Sequence, residues 1–103
     1  MANAGRTCYL AECFWAGVRA TDLHDLDQRI DAAVLALAGH GEPVRYLGWL
    51  LVTDDEVVLV FFEGPMGTVR RVAEHAEIPF ERILQAVRAP WPPSNSTDKE
   101  LLG

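Results

Sequence analysis

Apolar residues recur along this chain at two spacings, and the spacings divide it into elements. Leu23, Leu26, Ile30, Ala33, Val34 and Leu37 return every three or four positions, which places them in one stripe on a helix. Thr21 or Asp22 is the expected N-cap, and Asp22 and Asp25 put negative charge at the positive end of the helix dipole. Gly39, Gly41 and Pro43 stop the helix after Ala38. A shorter stripe of Val69, Val72, Ala73 and Ala76 predicts a second helix, from a Thr68 cap to Glu77, with Pro79 beyond it.

The other apolar runs read as strands. Residues 7–15, TCYLAECFW, are rich in aromatics, carry Glu12 as their one charge and end before Gly17. Residues 44–63, VRYLGWLLVTDDEVVLVFFE, read as two strands joined by a Thr53-Asp54-Asp55-Glu56 turn. Residues 83–87 are expected as a short last strand after a turn over 79–82, with a helix as the alternative. The order βαββαβ makes the fold class α+β and specifies a ferredoxin-like sandwich. Its first and third strands are central, and both helices cover one face of the sheet. The expected organisation is a flexible 1–6, one domain over 7–88, and an extended or disordered tail over 89–103, where prolines and polar residues replace any periodicity.

The hairpin then implies a partner. With Asp54-Asp55 as a two-residue turn, residues whose numbers sum to 109 sit opposite one another. Tyr46, Gly48, Leu50 and Val52 share one face with Val57, Leu59, Phe61 and Glu63, which sets Tyr46 across from Glu63. The other face carries Leu47, Trp49, Leu51, Val58, Val60 and Phe62, with Arg45 at its rim. Both faces are apolar, and two helices cover only one. Leaving the other wet forgoes on the order of 10 kcal/mol and exposes more than the few hundred Å² that monomers usually tolerate. A second copy covering it gives a homodimer, a dimeric α+β barrel with a cavity between the sheets. The alternative cover is the tail, with Trp91 and its prolines.

Composition narrows the partners. Nine basic against fifteen acidic residues give a net charge of −6, so counterion release offers no hold on nucleic acid or an anionic membrane. No run approaches the roughly 18 apolar residues of a membrane span, and nothing marks export, so a cytoplasmic location is expected. Cys8 and Cys13 are an odd number of residues apart on one strand, hence on opposite faces and not bridged to each other.

Candidate chemistry centres on three residues. Glu12 is a carboxylate on a central strand, where it must be paired, hydrogen-bonded or protonated; a pairing with an arginine such as Arg45 is the plain reading, a general base or metal ligand the functional one. Tyr46 and Glu63 join it if the three share a face. His24, His40 and His75 are scattered, with no second histidine at three or four residues, and Asp54-Asp55-Glu56 reads as a solvated turn.

The segments Glu12-Cys13-Phe14-Trp15-Ala16-Gly17-Val18, Val44-Arg45-Tyr46-Leu47-Gly48, Asp55-Glu56-Val57-Val58, Phe62-Glu63 and Ile78-Pro79-Phe80-Glu81-Arg82-Ile83 together resemble a small bacterial domain-of-unknown-function family. Its characterised member is a nickel-binding protein with a dimeric ferredoxin-like fold. The resemblance implies that fold, a homodimer and nickel as a possible cofactor, and it places Glu12, Tyr46 and Glu63 where members carry the same residues. Cys13 and Ala16 stand where members commonly have Arg and Pro, and Trp49 where they have a small residue. It assigns no metal ligands here. Binding of a small molecule or metal ion between the sheets is therefore expected. The alternative is a cofactor-independent isomerase, cyclase or oxygenase with Glu12 as base, Tyr46 as oxyanion donor and Glu63 as its orienter. A plain interaction module is the third reading.

Overall fold

The amphipathic stripe of residues 23–37 forms the long helix α1 (Ala20–Gly39), which buries Leu23, Leu26, Ile30, Ala33 and Leu37. It starts earlier than its polar residues suggest. Arg19 is the N-cap, and Asp22, instead of capping, turns back to accept the Arg19 backbone N–H at 2.8 Å. The far end closes by a Schellman pattern: Glu42 N–H donates to Leu37 O at 2.9 Å and Gly41 N–H to Ala38 O at 3.0 Å. That closure needs Gly41 at φ 79°.

The computed structural model describes residues 6–88. The remaining elements are β1 (Arg6–Phe14), β2 (Arg45–Val52), β3 (Val57–Glu63), α2 (Met66–His75) and β4 (Arg82–Arg88). Strand order is β2-β3-β1-β4, every pairing antiparallel. The first and third strands are central, as in a ferredoxin-like sandwich. The run at 83–87 is strand, not helix, because β4 completes a ladder along β1 from Arg6↔Arg88 to Glu12↔Arg82. Arg6 thus belongs to the sheet; the rest of the expected flexible start and the tail over 89–103 lie outside the described residues. Helix α2 begins at Met66 after Pro65, so Thr68 is a buried residue of its first turn and not its cap.

Both helices lie on one face of the sheet. Their core includes Leu26, Ile30, Val69, Val72 and Ala73 from the helices and Ala11, Cys13, Val58, Val60 and Phe62 from the central strands. Each such aliphatic side chain contributes about 1.5–3 kcal/mol by leaving water. Arg29 joins the helices: its Nε donates to Ala76 O at 2.8 Å and its Nη2 to Glu77 O at 3.3 Å, while Nη1 pairs with Asp25. This sets a positive charge on the carbonyl end of α2. There Glu77 takes φ 57°, and Ile78 N–H reaches back to Ala73 O at 2.9 Å.

The hairpin departs from its expected register at one point. From Val52↔Val57 to Gly48↔Phe61 the pairs sum to 109, but then Tyr46 faces Phe62 and Arg45 faces Glu63. A β-bulge at Tyr46–Gly48 absorbs one extra residue, with Gly48 at φ 113°. Beyond the bulge every side chain changes face. The predicted Tyr46–Glu63 pairing is therefore wrong: Tyr46 points to the helices and Glu63 away from them.

The turn does more than solvate. Glu56, at φ 53°, accepts the Trp15 N–H on its carbonyl at 2.9 Å and the Gly17 N–H on Oε2 at 3.0 Å. It ties the hairpin tip to the end of β1.

Candidate functional site

The face of the sheet away from the helices carries Leu10, Glu12 and Phe14 from β1, Leu50 and Val52 from β2, Val57, Leu59, Phe61 and Glu63 from β3, and Arg82 and Leu84 from β4. Phe14 is 58% exposed and Leu50 55%. Leu10, Leu59, Phe61 and Leu84 are half-buried. An ion pair stands on each side of this apolar field.

The first is Glu12 with Arg82. The β1–β4 register sets the two directly opposite, and Arg82 Nε donates to Glu12 Oε1 at 2.5 Å. The Glu12 side chain is 16% exposed and that of Arg82 62%. The hydrogen bond and charge of Glu12 raise the Arg82 guanidinium above its ordinary value. The Glu12 carboxylate is thus taken up by a guanidinium and is not presented as a free base.

The second is Glu63 with Arg45, across β3 and β2. Arg45 Nη1 lies 3.5 Å from Glu63 Oε1; Glu63 is 13% exposed and Arg45 71%. Both line a groove of about 420 Å³ with Pro43, Val44 and Gly64, at the open end of the hairpin. Gly64 belongs there sterically, because a Cβ at this position would meet Val44 Cγ2 at 2.6 Å.

Tyr46 serves a third place. Its ring packs 5.6 Å from that of Phe62, and its hydroxyl donates to Asp27 Oδ1 of α1 at 2.5 Å. Trp49 Nε1 donates to Asp27 Oδ2 at 3.4 Å. Burial first, then the Asp27 hydrogen bond and the charges of Asp27 and Asp31, push the phenol well above the usual tyrosine range. Glu12, Tyr46 and Glu63 are thus not assembled. Glu12 faces Leu59, four residues short of Glu63, which is roughly 13 Å along the strands, and Tyr46 is on the opposite face.

Asp27 and Arg82 were not singled out from the sequence. Asp27 had a signal: it is four residues after Leu23 and three before Ile30, a charge on the edge of an apolar stripe. Gly48 inside a strand was the signal for the bulge. Arg82 had none, since its meeting with Glu12 depends on the β4 register.

Among the described residues, no three His, Cys, Asp or Glu side chains gather into a group able to hold a metal. His24 accepts from Gln28 Nε2 at 3.4 Å, and His40 Nδ1 donates to Ala36 O at 2.9 Å. Cys8 and Cys13 are buried and form no disulfide among the described residues. Burial, with Glu12 and Glu81 nearby, pushes the Cys13 thiol up to about 11. The described residues of one chain do not fit a nickel centre. Among them, no helix is long and apolar enough to cross a membrane.

No protein-family model matches the chain, and no curated protein does. Among solved structures it is similar to the crystal structure of SCO4226 from Streptomyces coelicolor A3(2), with a TM-score of 0.59 and 20% identity over 75% of this chain and 91% of that one. At that identity the likeness speaks for the fold alone. The chain is a small ferredoxin-like α+β domain.

Proposed function

We propose that this protein is a binding protein: two copies pair through the sheet faces away from the helices and hold a small molecule beside them. The observation that carries the reading is the apolar field on that face, with Phe14 58% and Leu50 55% exposed, flanked by the Glu12–Arg82 and Arg45–Glu63 pairs. The face is about 19 Å across its strands and 23 Å along them, from ordinary strand dimensions, a size at which the largest apolar patch of a domain is often an interaction surface. A second copy brings the same apolar centre and the same charged margins, so the face is its own complement.

The resemblance to a nickel-binding family suggests a metal, but the carboxylates of this face are each engaged by an arginine, and His24 and His40 are bonded to residues of α1. A small organic ligand suits the residues better than nickel. The cofactor-independent enzyme has less support, since its proposed base is paired with Arg82 and its proposed oxyanion donor, Tyr46, is on the other side of the sheet. The test is sedimentation of the full chain beside a variant with Leu50→Asp. A dimer that the variant disperses without unfolding supports the reading. A wild-type monomer at micromolar concentration refutes it.

A further inference from the structure

We infer that the segment after β4, residues 89–93 with Trp91 at its middle, folds back over Cys8 and Ala86 and closes one end of the sheet face away from the helices. The observation behind it is a gradient of burial along that face. The core under the helices takes Ala11 and Cys13 from β1. Cys8 is an odd number of positions from both and so points to the other side, with Leu10, Glu12 and Phe14. Phe14, level with Val57 at the hairpin tip, is 58% exposed, Leu10 is half-buried, and Cys8 at the far end is 1% exposed. Packing within the sheet runs the other way. Cys8 is small and its cross-strand neighbour is Ala86, whereas Leu10 stands between Phe61 and Leu84. Glu63, which the β1–β3 register sets beside Cys8, repeats the pattern: it is 13% exposed although its Arg45 partner, 71% exposed, stands 3.5 Å away. A cover over this end of the face accounts for both.

The chain itself supplies that cover. Strand β4 ends at Arg88, opposite Arg6. That is two residues along and one strand over from Cys8, about 8 Å at ordinary strand spacings. Trp91 is three residues further on, a reach of up to about 10 Å. Pro90, Pro92 and Pro93 keep such a stretch from helix and bias Ala89 and Trp91 toward extended backbone. A tryptophan buries roughly 150–250 Å², enough to cover Cys8 and Ala86 together. On the other side of Arg6, Asn3-Ala4-Gly5 bring no such ring. The second copy proposed above then seats on the end bearing Phe14 and Leu50, and Trp91 walls the space beside it. The place of Trp91 stands whether or not the copies pair.

The experiment uses the full chain carrying Leu50→Asp, so that pairing of copies does not shield Cys8. The expected result is nuclear Overhauser contact between the Trp91 indole and the Ala86 methyl group. A thiol reagent should also label Cys8 at least tenfold faster once Trp91→Asp is added, with Trp91→Phe restoring most of the protection. Cys13, buried under the helices, reports global opening and should keep its rate in all three. Cys8 labelling that Trp91→Asp leaves unchanged, or Ala86 in contact with residues 1–5 in place of Trp91, overturns the inference and leaves the dimer untouched. If Trp91→Asp speeds Cys13 as well, the whole domain has loosened, and presence or absence of the indole–Ala86 contact in the unsubstituted segment decides.

Discussion

Tyr46 lies across from Phe62 and not from Glu63, because one extra residue is taken up in the bulge just before Gly48. That single residue sends the phenol to Asp27 on the helix side and leaves Glu63 with Arg45 on the other. The bulge separates what the alternation of the strand would have put together.

Gly48 should resist substitution. Its φ is 113°, and a Cβ added there would have nothing within 4 Å. Gly48→Ala therefore meets only backbone strain, expected at about 1–2 kcal/mol. Urea denaturation should show a lower midpoint with an unchanged slope. A drop in slope instead would mean that the register itself had slipped.

The Tyr46–Asp27 contact should be visible as a titration. The phenol's folded value is raised above its ordinary 10.0, so its contribution to stability is fully present below pH 10 and is lost as pH rises beyond it. Absorbance at the phenolate band should show one tyrosine that ionises only as the protein unfolds. Tyr46→Phe leaves Asp27 without its closest donor and should cost about 1–3 kcal/mol.

Cys13 gives a second window. With a folded value of about 11 against 9.0, its buried neutral thiol stabilises fully below pH 9, and that contribution fades by about pH 11, an effect of roughly 2–3 kcal/mol. Cys13→Ala should flatten the stability profile between those limits. Thiol reagents should label Cys13 in the native state no faster than global opening allows.

The C-terminal end of α2 offers a pair of opposite effects. Arg29→Met removes the donors to Ala76 O and Glu77 O and should cost about 1–2 kcal/mol. Glu77→Gly relieves a non-glycine residue held at φ 57° and should raise stability by about 1 kcal/mol. Paired thermal melts check both signs.

Much of the fold was legible because its signals are local or periodic. The stripe from Leu23 to Leu37 became α1, the helix-facing set Val58, Val60 and Phe62 became core, and a strand order with β1 and β3 central followed from βαββαβ. Cap positions were misjudged where a side chain bonds backward, as Asp22 does to Arg19. The candidate site was less legible. The facing of Glu12 depends on β1 docking against β3, its partner Arg82 on the β4 register, and the fate of Tyr46 on a bulge marked only by one glycine. Pairings across a sheet are long-range facts, and an alternating pattern carries them only as far as the first irregularity.

The central claim is that the sheet face bearing Phe14, Leu50 and Phe61 is shared with a second copy. Sedimentation equilibrium of the full chain and of a version ending at residue 88 tests it most directly. The account predicts that both sediment as dimers at micromolar concentration, with twice the 11.4 kDa mass of the chain in the first case, and that Leu50→Asp returns each to monomer. A full-length chain that sediments at 11.4 kDa at that concentration would contradict it.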